Sequence, residues 1–424
     1  MKNISNAYFF KNRPGMGFIS FLCLLLLIPA FYSCKPKASA GSDEAEGIQG
    51  NNQKTFSVFL DNKKIGNVNG LLELEDGSFL AVGGIKLQKS NDFNGSVIKL
   101  GKKGNVIQEK IYNQPGGQFF NKIIRASDSG FVVLGIQQLE GRKDWDIFVT
   151  QLDNNLEQKW QHHFGGTGYE NSNEIIATHD HGYIIAGQTN SRGMGKNDFY
   201  VIKLTATGEV QWEKTYGTDK NELARTVVQA GDNYLVAGPG MVKKIDSSGN
   251  ELWTRMIGDE HPVEINSCTE ADSDTYLFAG MITFQRDEFV TYGNFYLMAM
   301  NQEGDIIWEK HYNYPGRLVC YVESIRKTLD GNFISGGAVS QEDDTGTDVA
   351  LMKVDIAGNE LWKTTYDKQG DEHANIVIPV SDGGYLAGGF SSKKSVKEVQ
   401  GRSEITYLGN FGFVFKFNSS GRMK

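Results

Sequence analysis

A chain that repeats one short unit seven times must stack its units, and that constrains this sequence more than any single residue in it. An aromatic residue followed four positions later by glycine occurs at Phe79/Gly83, Phe131/Gly135, Tyr183/Gly187, Tyr234/Gly238, Tyr276/Gly280, Phe333/Gly337 and Tyr385/Gly389. Successive aromatics are 52, 52, 51, 42, 57 and 52 residues apart. A second ruler has the same period. Trp160, Trp212, Trp253, Trp308 and Trp362 each follow a short turn, at Asn154-Asn155, Thr207-Gly208, Ser248-Gly249, Glu303-Gly304 and Ala357-Gly358. Gln108, after Gly104, fills that slot in the first copy.

The unit is clearest at residues 173–217. NEIIATHD, GYIIAGQ, NDFYVIKL and EVQWEKTYG are four short runs rich in β-branched and aromatic residues, separated by Asp, Asn and Gly turns. They predict an antiparallel meander of four strands, here A to D in chain order. A lone meander cannot bury both of its faces, whereas radial stacking buries each against its neighbours. A period near 50 with four strands per unit therefore predicts an all-β, seven-bladed β-propeller over 55–424, with strand A nearest the axis. The five slot tryptophans are then wedges between blades, large flat rings with one polar edge.

The last copy ends at GFVFKFNSSGRMK with no fourth strand, and TFSVFLDN precedes the first copy as an orphan. The simplest arrangement has this N-terminal strand complete the last blade, which removes two open edges.

Residues 1–33 read as a signal peptide. Lys2, Lys11 and Arg13 form a basic start, and the apolar run from Phe18 to Phe31 is too short to span a bilayer. A small residue and a cysteine follow directly, and Phe31 to Cys34 resembles a bacterial lipobox. The resemblance implies lipidation of Cys34 and, with Lys35 rather than Asp next, the outer membrane. Residues 34–54 then form a lipidated start and a polar, flexible tether. Without residues 1–33, 40 Lys and Arg stand against 51 Asp and Glu, about −11 in net charge, which argues against nucleic acid or an anionic lipid surface as partner. Of four cysteines, Cys23 lies in the signal and Cys34 at the anchor. Cys268 falls on an inner strand and Cys320 in the loop entering the next. A disulfide between them and two buried thiols both stand as readings.

The A–B turns, such as Asp180-His181-Gly182 and Asp382-Gly383-Gly384, are tight and match hairpin turns better than calcium loops. The B–C and D–A connections share the opposite face and vary in length. They include 137–146, 188–198, 283–294, 340–348 and the longest, 391–410. Variable loops on a regular frame are where binding usually resides. Trp145, outside the packing slot, is a candidate anchor there or a cap over a blade edge. Ten residues before each ruler aromatic stand Asn69, Asn121, Asn173, Ala224, Asn266, Glu323 and Asn375. By symmetry these ring the channel mouth. They either tie neighbouring blades through their amides or form a polar throat for water, a cation or a sugar hydroxyl.

Catalytic patterns are absent from the sequence. The seven His form no HExxH or three-His cluster, and no Ser or Cys stands in a nucleophile motif. No catalytic residue, metal or cofactor is expected. The unit DGGYxxAG…DxYVIKLDxxGxxxWxKTYG resembles the propeller repeats of secreted and lipid-anchored Bacteroidota proteins. Asp246 to Trp253 and Asp355 to Trp362 are similar to the tryptophan-docking motif of quinoprotein-type propellers. Seven copies without adjacent cysteines carry over no quinone residues. The resemblance implies a fold and no activity. The expected function is a monomeric, lipid-anchored binding or scaffold module for a protein or glycan, not catalytic. A glycan hydrolase or lyase working at the channel mouth and an accessory subunit of an outer-membrane assembly complex are the alternatives.

Overall fold

The computed structural model describes residues 53–60, 65–86, 93–285, 291–341, 346–368, 370–399 and 402–423. Cys34, the segment before it and the tether to residue 52 lie outside them. The described chain is all-β, with 28 strands, and no helix long and apolar enough to cross a membrane occurs among the described residues. Strands pair antiparallel with their sequence neighbours, in five four-stranded sheets and one eight-stranded sheet. The eight-stranded sheet is two such runs joined by one parallel pair, Gly293 with Val319.

Strand A of successive copies spans Ile65–Glu73, Gln118–Arg125, Glu170–Ala177, Thr226–Ala230, Val263–Glu270, Arg317–Lys327 and Gly370–Pro379. Each A strand contacts the A strand of the next copy, and that of the last copy contacts the first, so the contacts return to their start. The repeat thus builds a β-propeller. Its B and C strands are buried on both faces. Phe131–Gln137, Asp146–Leu152 and Asp198–Leu204 contain no exposed residue, which is why they are near-continuous apolar runs. D strands are the outer edges and mix exposed with half-buried residues, as in Val210–Tyr216.

The N-terminal strand Phe56–Phe59 pairs with the C strand of the last copy, from Phe56 opposite Lys416 to Phe59 opposite Phe413. First and last residues of the domain thereby share one four-stranded sheet.

The ruler glycines and the ring asparagines prove to be one device. Asn69, Asn121, Asn173, Asn266, Glu323 and Asn375 are each the residue skipped at a register shift between strands A and B. They are β-bulges, one extra residue that bends the inner strand. Beside each bulge an A-strand carbonyl lies against the ruler glycine. A Cβ on Gly187 would lie 2.3 Å from the Asn171 carbonyl oxygen, and one on Gly389 1.7 Å from that of His373. Copy 4 has no bulge. Its A strand begins at Thr226, after Ala224.

Three sequence expectations need correction. Residues 283–285 and 291–294 are strand rather than loop, because strands B and C of copy 5 stay paired out to Gln285 opposite Thr291. Residues 391–399 and 402–410 likewise continue Tyr385–Val399 and Arg402–Phe417 as paired strands, out to Val399 opposite Arg402. Alternating runs such as SVKEV and EITYL suit a strand as well as a loop. Cys320 lies within strand A of copy 6 rather than before it, because that strand begins at Arg317. Cys268 and Cys320 are both buried free thiols. Burial pushes them up to about 12 and about 11 respectively, so neither is a reactive thiolate.

Candidate functional site

The channel mouth is laced from copy to copy. Asn69 Nδ2 donates to the Phe120 carbonyl (3.0 Å), Asn121 to that of Ser172 (3.0 Å), Asn173 to that of Ala224 (2.7 Å), and Asn266 to that of Val322 (2.9 Å). Asn375 donates to the Val68 carbonyl (3.2 Å) and to Asn69 Oδ1 (3.1 Å). In most copies the acceptor is the residue just before the next bulge. The bulge frees the side chain from the ladder, and an amide is the shortest group that reaches across. Each Asn is partly buried, and every carbonyl partner except Ala224, which precedes strand A of copy 4, lies on an A strand.

Glu323 takes the ring position in copy 6 and has no amide to donate. Burial lifts its carboxyl to about 7. The Arg225 and Lys122 charges oppose that shift, and Glu264 adds to it.

Below the ring lies a cavity of about 430 Å³, lined by residues of all seven A strands. It contains a charged triad: Lys122 Nζ lies 3.7 Å and Arg326 Nη2 3.5 Å from Glu174 Oε2. Arg326 Nη1 also donates to Ser267 Oγ (3.1 Å). Sequence reasoning missed this triad. Two of its members stood one column further along: Lys122 and Glu174 directly follow the ring positions Asn121 and Asn173, while Arg326 stands three residues after Glu323. The ring residues do not line this cavity.

The slot tryptophans lie on D strands, half-buried, each over the turn glycine of the next copy. A Cβ on Gly208 would lie 2.7 Å from Trp160, one on Gly249 3.0 Å from Trp212, and one on Gly304 3.1 Å from Trp253. On Gly358 it would lie 2.8 Å from Trp308, and on Gly421 2.4 Å from Trp362. These glycines take positive φ, +85° at Gly208 and +78° at Gly249, a conformation that costs an L-residue strain. Four residues after Trp212 and Trp308, Tyr216 and Tyr312 donate to the carbonyls of Gly249 and Gly358. Phe56 and Val58 of the N-terminal strand cover Gly104 in the same way.

Carboxylates of the A–B turns meet lysines from strand C. Asp180 pairs with Lys203 (2.8 Å), Asp330 with Lys353 (2.5 Å), and Asp382 with Lys416. This uses the Lys of the VIKL run to hold the turn, with Lys203 only 1 % exposed.

Trp145, on the opposite face, is partly buried. Its ring lies 5.5 Å from that of Phe119, which lies 4.4 Å from Phe93. Two further aromatic groups share that face. Phe284 contacts His261, Tyr292 and His311 at 4.6–5.3 Å. His373 stacks on Phe390 at 4.6 Å and hydrogen-bonds the Tyr321 hydroxyl. Asp348, Asp367 and Glu372 bring one carboxylate oxygen each within 4.8 Å of one another on this face, and Arg317 Nη2 stands 2.6 Å from Asp348. They are the one set of three such groups among the described residues with metal-ligand spacing.

No family model and no curated protein matches the chain. Solved structures do. The WD40 domain of Neurospora crassa Pan2 superposes with a TM-score of 0.51 at 12% identity, covering 85% of this chain and 90% of that one. The β-propeller domain of the Trilobed protease from Pyrococcus furiosus gives 0.46 at 14%, covering 82% and 95%. A protein of unknown function from Bacteroides caccae gives 0.44 at 15%, covering 68% and 93%. The likeness to the Pan2 domain is one of fold.

Proposed function

We propose that this chain is a seven-bladed propeller, lipid-anchored through Cys34 on the outer membrane, and that it binds a protein or glycan ligand through its loop-rich face as a monomeric module. The closed sequence of A-strand contacts, copy to copy and back, supports the blade number. The signal-like residues 1–33 and the acidic balance of the rest support an envelope protein without a nucleic-acid partner.

The observation that carries the reading is the set of partly exposed aromatic groups on one face: Phe93, Phe119 and Trp145, then Phe284 and Tyr292, then Tyr321 and His373. Rigid aromatic rings offer large contact area at small entropic cost, and their faces suit sugars and peptides alike. The other face consists of tight turns closed by Lys–Asp pairs, with little free chemistry. The test uses the full chain in detergent, on a glycan array and in capture from solubilised envelope. The expected result is a specific ligand whose binding falls about tenfold or more in Trp145→Ala or Phe284→Ala, roughly 1.4 kcal/mol. No specific ligand in either assay, or one that both variants retain, contradicts it.

One observation favours a second reading. The Glu323 carboxyl, lifted to about 7 with Glu264 near, has the proton affinity a general acid needs at neutral pH. Glycan cleavage lost in Glu323→Gln would establish that reading; the absence of turnover on envelope glycans leaves the binding module.

A further inference from the structure

Three junctions between copies repeat one arrangement on the loop-rich face. An Asp at the start of strand C lies beside a Glu at, or within a few residues of, the start of the next strand A. The pairs are Asp146 with Glu170, Asp198 with Glu222, and Asp348 with Glu372. All six carboxylates are at least nine-tenths buried. At the first, a Cβ on Gly165 would lie 2.2 Å from Asp146 Oδ1 and 2.5 Å from Glu170 Oε2, so the two carboxylates converge. At the second, the chains are stitched by a parallel bridge between Asn197 and Asn221, and the Glu222 amide donates to the Asn197 carbonyl (2.8 Å). In a parallel bridge the next residues, Asp198 and Glu222, also stand side by side.

Two buried carboxylates side by side need a compensating positive charge. Two of the three junctions supply it from a side chain. Arg142 Nη1 donates to Asp146 (2.8 Å), and Arg317 Nη2 lies 2.6 Å from Asp348. The middle junction has none among the described residues. Arg142 stands four residues before Asp146, and the residue four before Asp198 is Met194, 79% exposed.

The hydrogen-bond partners shown for Asp198 and Glu222 are neutral. Asp198 Oδ2 accepts from the Met194 amide (2.8 Å), and Glu222 Oε1 accepts from Thr218 Oγ1. Asp198 Oδ1 and Glu222 Oε2 are buried with no hydrogen-bond partner. Glycines make room for the Asp198 carboxylate: a Cβ on Gly193 would lie 1.7 Å from Asp198 Oδ2, and one on Gly217 1.6 Å from Asp198 Oδ1.

We propose that a divalent cation of the calcium type binds between Asp198 and Glu222, where a guanidinium serves at the sister junctions. The donors are all oxygen, which selects a hard cation over zinc or copper. The ion ties the connection at 190–197 to the one at 217–222, across the boundary between copies 3 and 4. This inference does not rest on the binding function proposed above.

The full chain in detergent, stripped with chelator, is titrated with CaCl2 by calorimetry, and its melting is followed with and without calcium. The wild type binds calcium and melts higher in its presence. Asp198→Asn and Met194→Arg each bind one equivalent fewer, with unchanged circular dichroism; the second installs the missing guanidinium at an exposed position and removes no ligand. No calcium binding by the wild type, as a pair sharing a proton would give, overturns the proposal. Wild-type stoichiometry in Met194→Arg overturns it as well.

Discussion

Arg326 Nη2 lies 3.5 Å from Glu174 Oε2, although the two residues stand on A strands that are not neighbours around the ring. Their side chains meet across the axis, with Lys122 at 3.7 Å from the same oxygen. One carboxylate thus ties three copies through the cavity. Removing one member of a buried charged set leaves the others uncompensated. Glu174→Gln is expected to destabilise the fold by about 3 kcal/mol, measured by denaturant unfolding. A loss within error of zero would mean that water, not Glu174, compensates Lys122 and Arg326.

Glu323 gives a pH signature. Its carboxyl titrates near 7 when folded, against 4.5 ordinarily. Between those values the folded chain holds a proton that the unfolded chain has released, so stability falls as pH rises through this window. Glu323→Gln has no such proton. It should match the wild type below about pH 4.5 and exceed it by about 2 kcal/mol above pH 7, the full shift being discounted for the water that reaches the channel. Parallel pH–stability curves for the two proteins would contradict this.

Trp212 covers Gly249 with its ring and donates from Nε1 to the Ser247 carbonyl (2.9 Å). From sequence alone a buried ring predicts a loss of about 3–5 kcal/mol on Trp212→Ala. The indole is half-buried, so the expected loss is lower, about 2 kcal/mol. Gly249→Ala should cost at least as much as an ordinary positive-φ substitution, about 1 kcal/mol, because the methyl also meets the indole. Thermal unfolding of both variants checks the order.

The strand Phe56–Phe59 is the outer strand of the last copy's sheet and covers the Gly104 turn of the first. Deleting 55–60 should lower the melting temperature by at least 10 °C or abolish folding. Deleting 35–50 should leave it unchanged. Equal effects from both deletions would show that closure does not depend on this strand.

The repeat period was legible because stacking requires each copy to place the same residue at the same contact. Gly187 and Asn173 were found separately, as a ruler and a ring. Only the register shows them to be two sides of one bulge, since a skipped residue leaves no mark on hydrophobic alternation. The pairing of 391–399 with 402–410 was unreadable for a related reason: these polar and β-branched residues suit an extended strand and a loop equally. Charge partners across the axis, such as Glu174 and Arg326, depend on ring closure and have no fixed spacing. The Asp198–Gly217 contact was present in the sequence as the D and the G of DFYVIKL…KTYG, but the pattern does not say that the glycine makes room for the carboxylate.

The most direct test of the working face is hydrogen exchange on the full chain in detergent, with and without solubilised envelope fraction or the glycan it selects. The account predicts protection confined to connections on the loop-rich face, above all 138–146, 190–197 and the hairpin ends near Phe284 and Tyr292. Protection centred on the A–B turns at Asp180, Asp330 and Asp382, or none anywhere, would contradict it.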